Sequence, residues 1–135
     1  MEQLERIRGV LESFEEVRLA YAFGSVPHGT PKPSSDLDLA VLLAPAETTD
    51  VLDRIVAALE TSSGRVVDLV DLAQAPPLLG HEIVTSGTLL FARDEEERVR
   101  FVTRAVARYL DTAHLRRVQH LYLRERVEAR GATAR

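Results

Sequence analysis

The spacing of apolar residues divides this chain into alternating helices and strands. Between residues 2 and 16, apolar side chains recur every three or four positions, which predicts an amphipathic helix over Glu2–Glu16. Short apolar runs that begin or end at turn-forming residues predict strands instead. These runs cover Val17–Phe23, Asp36–Leu43, Arg65–Leu72 and Thr88–Ala92.

Helical patterns separate the later strands, and a longer one follows the last of them. An apolar stripe between possible caps predicts a helix over residues 48–64, and residues 78–85 look helical after a Pro-Pro pair. Four consecutive acidic residues at 94–97 favour a helix start, and the helical pattern continues to about Glu128 with a break near Asp111. We therefore predict an α/β (α+β) fold: a small mixed β-sheet flanked by helices, with a C-terminal helical region.

The length and pattern of the chain predict a single domain. A chain of 135 residues and 15.0 kDa can bury a substantial core without disulfides or metals. No repeat, linker or low-complexity tract divides it. We place the core at about residues 1–93 and the helical region at about 94–130, and we expect the last residues, 129–135, to be frayed.

Composition narrows the possible functions. The chain has no cysteine, which rules out disulfides and thiol nucleophiles, and no apolar run long enough to span a membrane. A net charge of −4 argues against direct binding to nucleic acid, which requires a basic surface. Sixteen of the 17 basic residues are arginines, and acids are interleaved with them, so this bias indicates composition rather than a binding patch. We expect a cytoplasmic protein.

The stretch "GSVPHGTPKPSSDLDLAV" (residues 24–41) contains the strongest chemical signal. Asp36 and Asp38 stand two residues apart where a strand begins, so both carboxylates point to the same side. Two like charges that close together raise each other's pKa unless a cation lies between them. Carboxylate oxygens together with substrate phosphates are the ligands that Mg²⁺ prefers.

A third carboxylate, Asp68, lies within the apolar run "VVDLV" of the next predicted strand. A charge inside a strand is costly if it is buried without compensation. If the second and third strands are neighbours, Asp68 joins Asp36 and Asp38 in one cluster, and three such carboxylates can hold two metal ions. We expect Asp71, which points to the opposite side, to form a turn rather than to take part in catalysis.

Gly24 and Ser25 directly follow the first predicted strand. Glycine lets backbone N–H groups approach an anion closely, and the serine hydroxyl adds a hydrogen-bond donor. The pair is a weak signal alone. It becomes specific because an Asp-x-Asp pair starts a strand about ten residues later and a further strand aspartate follows.

In this arrangement the sequence resembles the nucleotidyltransferases of the polymerase-beta superfamily. Their signature is Gly-Ser, ten or so residues, Asp-x-Asp, and a third Asp on a later strand, here Gly24-Ser25, Asp36-Leu37-Asp38 and Asp68. The small size, and "GTLLF" followed by long helices, are most similar to the minimal nucleotidyltransferases that are paired with HEPN-domain toxins. The motifs themselves cover only about residues 21–72.

The resemblance implies a specific reaction. Minimal nucleotidyltransferases of this kind use ATP and Mg²⁺ to transfer AMP to a tyrosine hydroxyl of a HEPN ribonuclease, and so act as antitoxins. By this resemblance Asp36 and Asp38 would bind both metals, and Asp68 would bind the catalytic metal and help to deprotonate the attacking hydroxyl. Gly24 and Ser25 would hold the triphosphate.

Two loop residues are further candidates for nucleotide binding. His28 stands where members of the family commonly have Arg, and a neutral imidazole is a poorer phosphate ligand than a guanidinium. Lys32, the only lysine of the chain, is the candidate that would compensate.

Two other classes of function remain open from the sequence. One is transfer of a nucleotide to a small molecule of the antibiotic type, although 135 residues leave little room for a second domain that would form an acceptor pocket. The other is a catalytically idle module that neutralises a toxin by contact alone. Apolar positions from Leu115 to Tyr122 indicate either a protein-binding surface or packing onto the sheet.

Overall fold

The computed structural model describes residues 2–24, 36–45 and 49–133, without the side chains of residues 49, 114 and 126–133. These residues form helices and strands in the order that the apolar pattern predicts. In chain order they are α1 (Glu2–Glu12), β1 (Val17–Phe23), β2 (Leu37–Leu43), α2 (Thr49–Ser63), β3 (Val67–Asp71), α3 (Pro77–Ser86), β4 (Thr88–Ala92), α4 (Glu95–Asp111) and α5 (Ala113–Thr133).

The four strands form one mixed sheet in the order β3-β2-β1-β4. β1 is antiparallel to both β2 and β4, whereas β2 and β3 are parallel. The parallel pair requires a crossover, which α2 supplies. The second and third strands are therefore neighbours, which is the condition for bringing Asp68 close to Asp36 and Asp38, and β3 lies at an edge of the sheet.

Helices cover both faces of the sheet. Alternate residues of β2 point to opposite sides: Leu37, Leu39 and Val41 belong to a core cluster with residues of α1 and α2, whereas Ala40 and Leu42 belong to a cluster with residues of α3 and α4. Packing on both faces explains why β2 is almost continuously apolar. The predicted fold class, a small mixed sheet flanked by helices, is confirmed.

Three predicted boundaries are wrong. The first helix ends at Glu12 rather than Glu16, because the hydroxyl of Ser13 donates to the carbonyl of Val10 and Arg93 donates to the carbonyls of Glu12 and Phe14. Strand β3 is shorter than residues 65–72. At the other end of the chain, α5 continues to Thr133, within the segment that was expected to be frayed.

The last helix makes few contacts with the rest of the fold. Arg116 of α5 donates to the backbone carbonyl of Tyr109 on α4, and its guanidinium lies over that ring at 4.0 Å. Beyond this link, the apolar positions predicted either to bind a protein or to pack on the sheet are more than 45% exposed; they are Leu115, Val118, Leu121 and Tyr122. No helix formed by the described residues is both long and apolar enough to cross a membrane.

Candidate active site

Two of the predicted carboxylates are neighbours at the start of the parallel strands. The register of β2 and β3 places Asp38 directly beside Asp68, so their side chains point to the same face of the sheet. Asp36 immediately precedes β2. The structure thus brings all three predicted aspartates to one end of one strand pair.

These carboxylates are less buried than the sequence indicated. Asp38 is half-buried, and Asp36 and Asp68 are exposed; among the described residues, no charged side chain is buried. The expectation that Asp68 is a buried strand charge is wrong, because β3 is an edge strand and Asp68 lies at its open end beside Val66, which is 63% exposed. The site therefore faces solvent, where a substrate can reach it.

The electrostatics of the site show that its charges repel one another. Partial burial raises the pKa of Asp38 above its ordinary value, and the negative charges of Asp68 and then Asp36 raise it further. A cation bound between these oxygens would reverse the effect, because it stabilises the ionised forms.

Replacing Asp38 should therefore stabilise the metal-free protein. Because the folded state holds the proton of Asp38 to a higher pH than the unfolded chain does, stability falls as pH rises from the ordinary value, 3.8, through the raised pKa. Asp38→Asn should increase the free energy of unfolding near neutral pH by up to about 0.5 kcal/mol, since solvent screens the charges, and the gain should vanish in acid. Thermal unfolding in chelator, at a series of pH values, tests this; a variant less stable than wild type at neutral pH would contradict it.

Gly24 ends β1 and lies against Asp38. Its φ of +80° is a left-handed conformation that glycine adopts readily. A Cβ at this position would collide with Oδ2 of Asp38 and lie 3.2 Å from its Cγ. Residue 24 must therefore be a glycine for two independent reasons, one of backbone conformation and one of space beside the carboxylate.

A cleft of about 200 Å³ opens beside Gly24. It lies between the end of β1 and helix α3, and its walls include Phe23, Glu82 and Ile83. Because Ile83 and Phe23 belong to the core on the α3 side of the sheet, the cleft and the Asp38 carboxylate share that face. The arrangement offers a place for a ligand that contacts both.

Three predicted nucleotide-binding residues, Ser25, His28 and Lys32, lie outside the described residues. Their assignment stays a prediction. Asp71, by contrast, has the predicted structural role: its Oδ1 accepts a hydrogen bond from the backbone N–H of Ala73 at 3.1 Å, so it forms the turn that follows β3.

The donor set fits a hard divalent cation. Within the described part of the chain, no three histidine or acidic side chains are already grouped closely enough to enclose a metal ion. Mg²⁺ does not need such a cage, because it binds through one or two carboxylates together with water and substrate phosphates. The adjacent Asp38 and Asp68, with Asp36 near enough to raise the pKa of Asp38, provide carboxylates of this kind.

Three arginines of α4 lie together along one groove, a grouping that the sequence analysis, which attributed the arginines to composition, did not identify. Arg100, Arg104 and Arg108 line a single groove on α4, and none of them forms an ion pair with another described residue. Their four-residue spacing is visible in the sequence and indicates one face of a helix. Whether acids neutralise them depends on the tertiary structure, which spacing alone does not give.

Comparison with known proteins agrees with this geometry. The family model described as polymerase beta nucleotidyltransferase matches residues 5–96, a range that contains Gly24, Asp36, Asp38 and Asp68. The chain belongs to this family. As a polymerase-beta nucleotidyltransferase it is an enzyme of nucleotide transfer, and the family resemblance indicated by its sequence is confirmed.

A curated relative gives a narrower comparison. The nucleotidyltransferase is 32% identical over 114 residues to protein adenylyltransferase MntA of Shewanella oneidensis, a match that covers 81% of this chain and 80% of MntA. The aligned length therefore includes most of both proteins, not only the motif region.

Solved structures share the fold. A toxin-antitoxin crystal structure with AMP-PNP is 26% identical and has a TM-score of 0.74, with 92% of this chain and 98% of that chain covered. A structure of a tri-AMPylated Shewanella oneidensis HEPN toxin in complex with its MNT antitoxin has a TM-score of 0.70 over 93% of this chain and 97% of that chain. At 24% identity, the second shows the shared fold alone.

Proposed function

We propose that this nucleotidyltransferase transfers AMP from ATP to a tyrosine hydroxyl of a HEPN ribonuclease toxin, and that it thereby acts as an antitoxin. The observation that carries the proposal is the pairing of Asp38 with Asp68 across β2 and β3, beside a glycine turn, in a family of nucleotide transferases. The relative named as a protein adenylyltransferase and the related toxin-antitoxin structure with an ATP analogue support it.

The proposed reaction exchanges a phosphoanhydride bond of ATP for a phosphodiester bond to the tyrosine oxygen. The tyrosine oxygen attacks the α-phosphorus of ATP, a new O–P bond forms, the bond between the α- and β-phosphates breaks, and pyrophosphate leaves. Asp68 is the exposed carboxylate of the pair, so it can approach the incoming hydroxyl and accept its proton. Asp36 and Asp38 stand at the entrance of β2, next to the Gly24 turn, where we place the triphosphate.

Mg²⁺ is part of this proposal. Asp36, Asp38 and Asp68 would hold it, and when bound it would neutralise charge on the transferring phosphate and lower the pKa of the attacking hydroxyl. The cleft beside Gly24 would receive another part of the nucleotide. Since ATP is the donor, we place the activity in the cytoplasm.

The alternatives to this function fit the chain less well. An idle binding module has no use for two adjacent carboxylates, one of which, Asp38, has its pKa raised by partial burial and then by the charge of Asp68. Transfer to a small molecule requires a pocket for the acceptor, and the cleft that the described residues form beside Gly24 is the one that we assign to the nucleotide. A docked protein would bring its hydroxyl without such a pocket.

The fate of the α-phosphate distinguishes these functions. With purified HEPN protein, Mg²⁺ and ATP labelled at the α-phosphate, the label should enter the HEPN protein, whereas label at the γ-phosphate should leave as pyrophosphate. Label that enters an aminoglycoside or a free nucleotide instead would support the small-molecule transferase. If the chain binds the HEPN protein but transfers no label to it, to an aminoglycoside or to a free nucleotide, the result would support the idle module.

Asp68→Asn should slow transfer more than it weakens ATP binding. The amide cannot accept the proton and is a poorer metal ligand, so we expect kcat to fall by at least ~10²-fold with a smaller change in ATP affinity. Single-turnover kinetics and calorimetry separate the two effects. Asp71→Asn is the matched control, because the amide oxygen can keep the turn bond to Ala73; equal losses of rate and affinity in Asp68→Asn would refute the assigned role.

A further inference from the structure

A groove crosses the sheet face at the end of the strands opposite to the carboxylates. Helix α4 borders it with Arg100, Arg104 and Arg108, which recur every four residues and extend over about 12 Å of helix. The groove has a volume of about 430 Å³. Its floor is largely apolar and includes Leu42, Leu43, Pro45, Leu72 and Phe101.

The arginines of this groove differ from several others in the fold because no carboxylate of the described residues pairs with them. Arg18, Arg54 and Arg98 each pair with a carboxylate. The three groove arginines are exposed and form no hydrogen bond or ion pair with any other described residue. The acid that also borders the groove, Glu97, is bound to Arg18 at 3.0 Å. A positive edge on the α4 side thus borders an apolar floor in a chain whose net charge is −4.

We propose that this groove docks an acidic segment of the acceptor protein that carries at least one apolar anchor residue. The inference rests on the proposed function, since it names the surface that holds the acceptor. Carboxylates on a partner helix at four-residue spacing would match the arginine spacing, and arginine binds carboxylates in a bidentate manner. Phosphate alone would leave the apolar floor uncovered, which favours a protein segment over a nucleic acid.

The position of the groove suits this task. Its floor residue Leu42 and the site residue Asp38 point to the same face of β2, four residues apart, which is about 13 Å along a strand. A protein seated in the groove would therefore lie beside the carboxylates without occupying them. Docking of this kind would position a tyrosine for attack.

Charge reversal in the groove tests the proposal. Arg100→Glu with Arg104→Glu should raise the Kd for the HEPN acceptor protein about tenfold or more, mainly through slower association. The kcat at saturating acceptor should stay within about twofold of wild type, because neither arginine touches the reacting groups. Added salt should raise the Kd of the wild type, because it screens the charges of the arginines. It should raise the Kd of the variant less.

A matched reversal elsewhere controls for net charge. Arg6→Glu with Arg8→Glu changes the charge by the same amount on the exposed face of α1 and should leave the Kd unchanged, and thermal unfolding checks that both variants are folded. A groove variant that binds the acceptor as tightly as wild type, while wild type still adenylylates it, would refute the docking site alone. If the groove variant instead loses binding to an RNA oligonucleotide that the wild type binds, and still binds the acceptor, the groove is a nucleic-acid site and the proposed docking site is refuted. Failure of wild type to modify the acceptor would instead refute the proposed function.

Discussion

Asp36→Asn together with Asp38→Asn is expected to abolish AMP transfer, with a loss of at least ~10³-fold in rate, while the fold stays intact. The amides remove two of the three carboxylates that lie at this end of the β2 and β3 pair, and with them ligands that would hold the metal against the phosphates of ATP. Partial burial and the charges of Asp68 and Asp36 raise the pKa of Asp38. The double variant removes both the partly buried charge and this repulsion, so without metal it should unfold at a temperature equal to or above that of wild type.

Asp50→Asn with Asp53→Asn is the matched control for this pair. Both residues are exposed acids on α2, away from the carboxylate site, and their replacement removes the same charge. The control should keep wild-type activity. If the Asp36/Asp38 variant transferred AMP at the wild-type rate, the assignment of these two residues to the active site would be wrong.

Gly24→Ala should impair both stability and activity, although it adds only a single methyl group. A residue with a Cβ is strained at a φ of +80°, at a cost of about 1–2 kcal/mol. The methyl group would also displace the carboxylate of Asp38, which it would meet at Oδ2. Since a shift of about 1 Å in a reacting site costs roughly 10²-fold in rate, we expect a loss of that size in kcat.

Gly64→Ala separates the two causes. Gly64 has a similar φ of +69°, but nothing lies within 4 Å of an added Cβ. It should therefore lose a similar amount of stability and keep full activity. If the two alanine variants lose activity equally, the contact between Gly24 and Asp38 has no catalytic importance.

The sequence predicts the core of this fold because its apolar pattern is locally consistent. The strand over Val17–Phe23 is found as predicted, whereas the sequence left open whether the Asp38 and Asp68 strands are neighbours, which the parallel pairing of β2 and β3 establishes. The end of α1 could not be predicted in this way. Phe14 continues the helical periodicity, but the chain turns there because Arg93, far along the sequence, donates to its carbonyl at 2.9 Å.

The candidate site also has features that the sequence predicts and features that only the fold determines. Residue types and spacing are enough to select Gly24, Asp36, Asp38 and Asp68, since each belongs to a motif. The exposure of Asp68 could not be predicted in this way, because it results from the position of β3 at the edge of the sheet. A carboxylate in the middle of an apolar run does not indicate which helices cover it. The free charge of the α4 arginines is likewise set by which carboxylates the fold places beside them, and Glu97 pairs with Arg18 of β1 instead.

The mass of the acceptor protein tests the central claim most directly. The purified chain should be incubated with ATP, Mg²⁺ and its HEPN partner, and the intact mass of the partner measured before and after. We predict an increase by one or a few AMP units, located on a tyrosine peptide, that requires ATP and is lost with Asp36→Asn and Asp38→Asn. An unmodified partner under conditions in which it forms a complex with the chain would contradict the account.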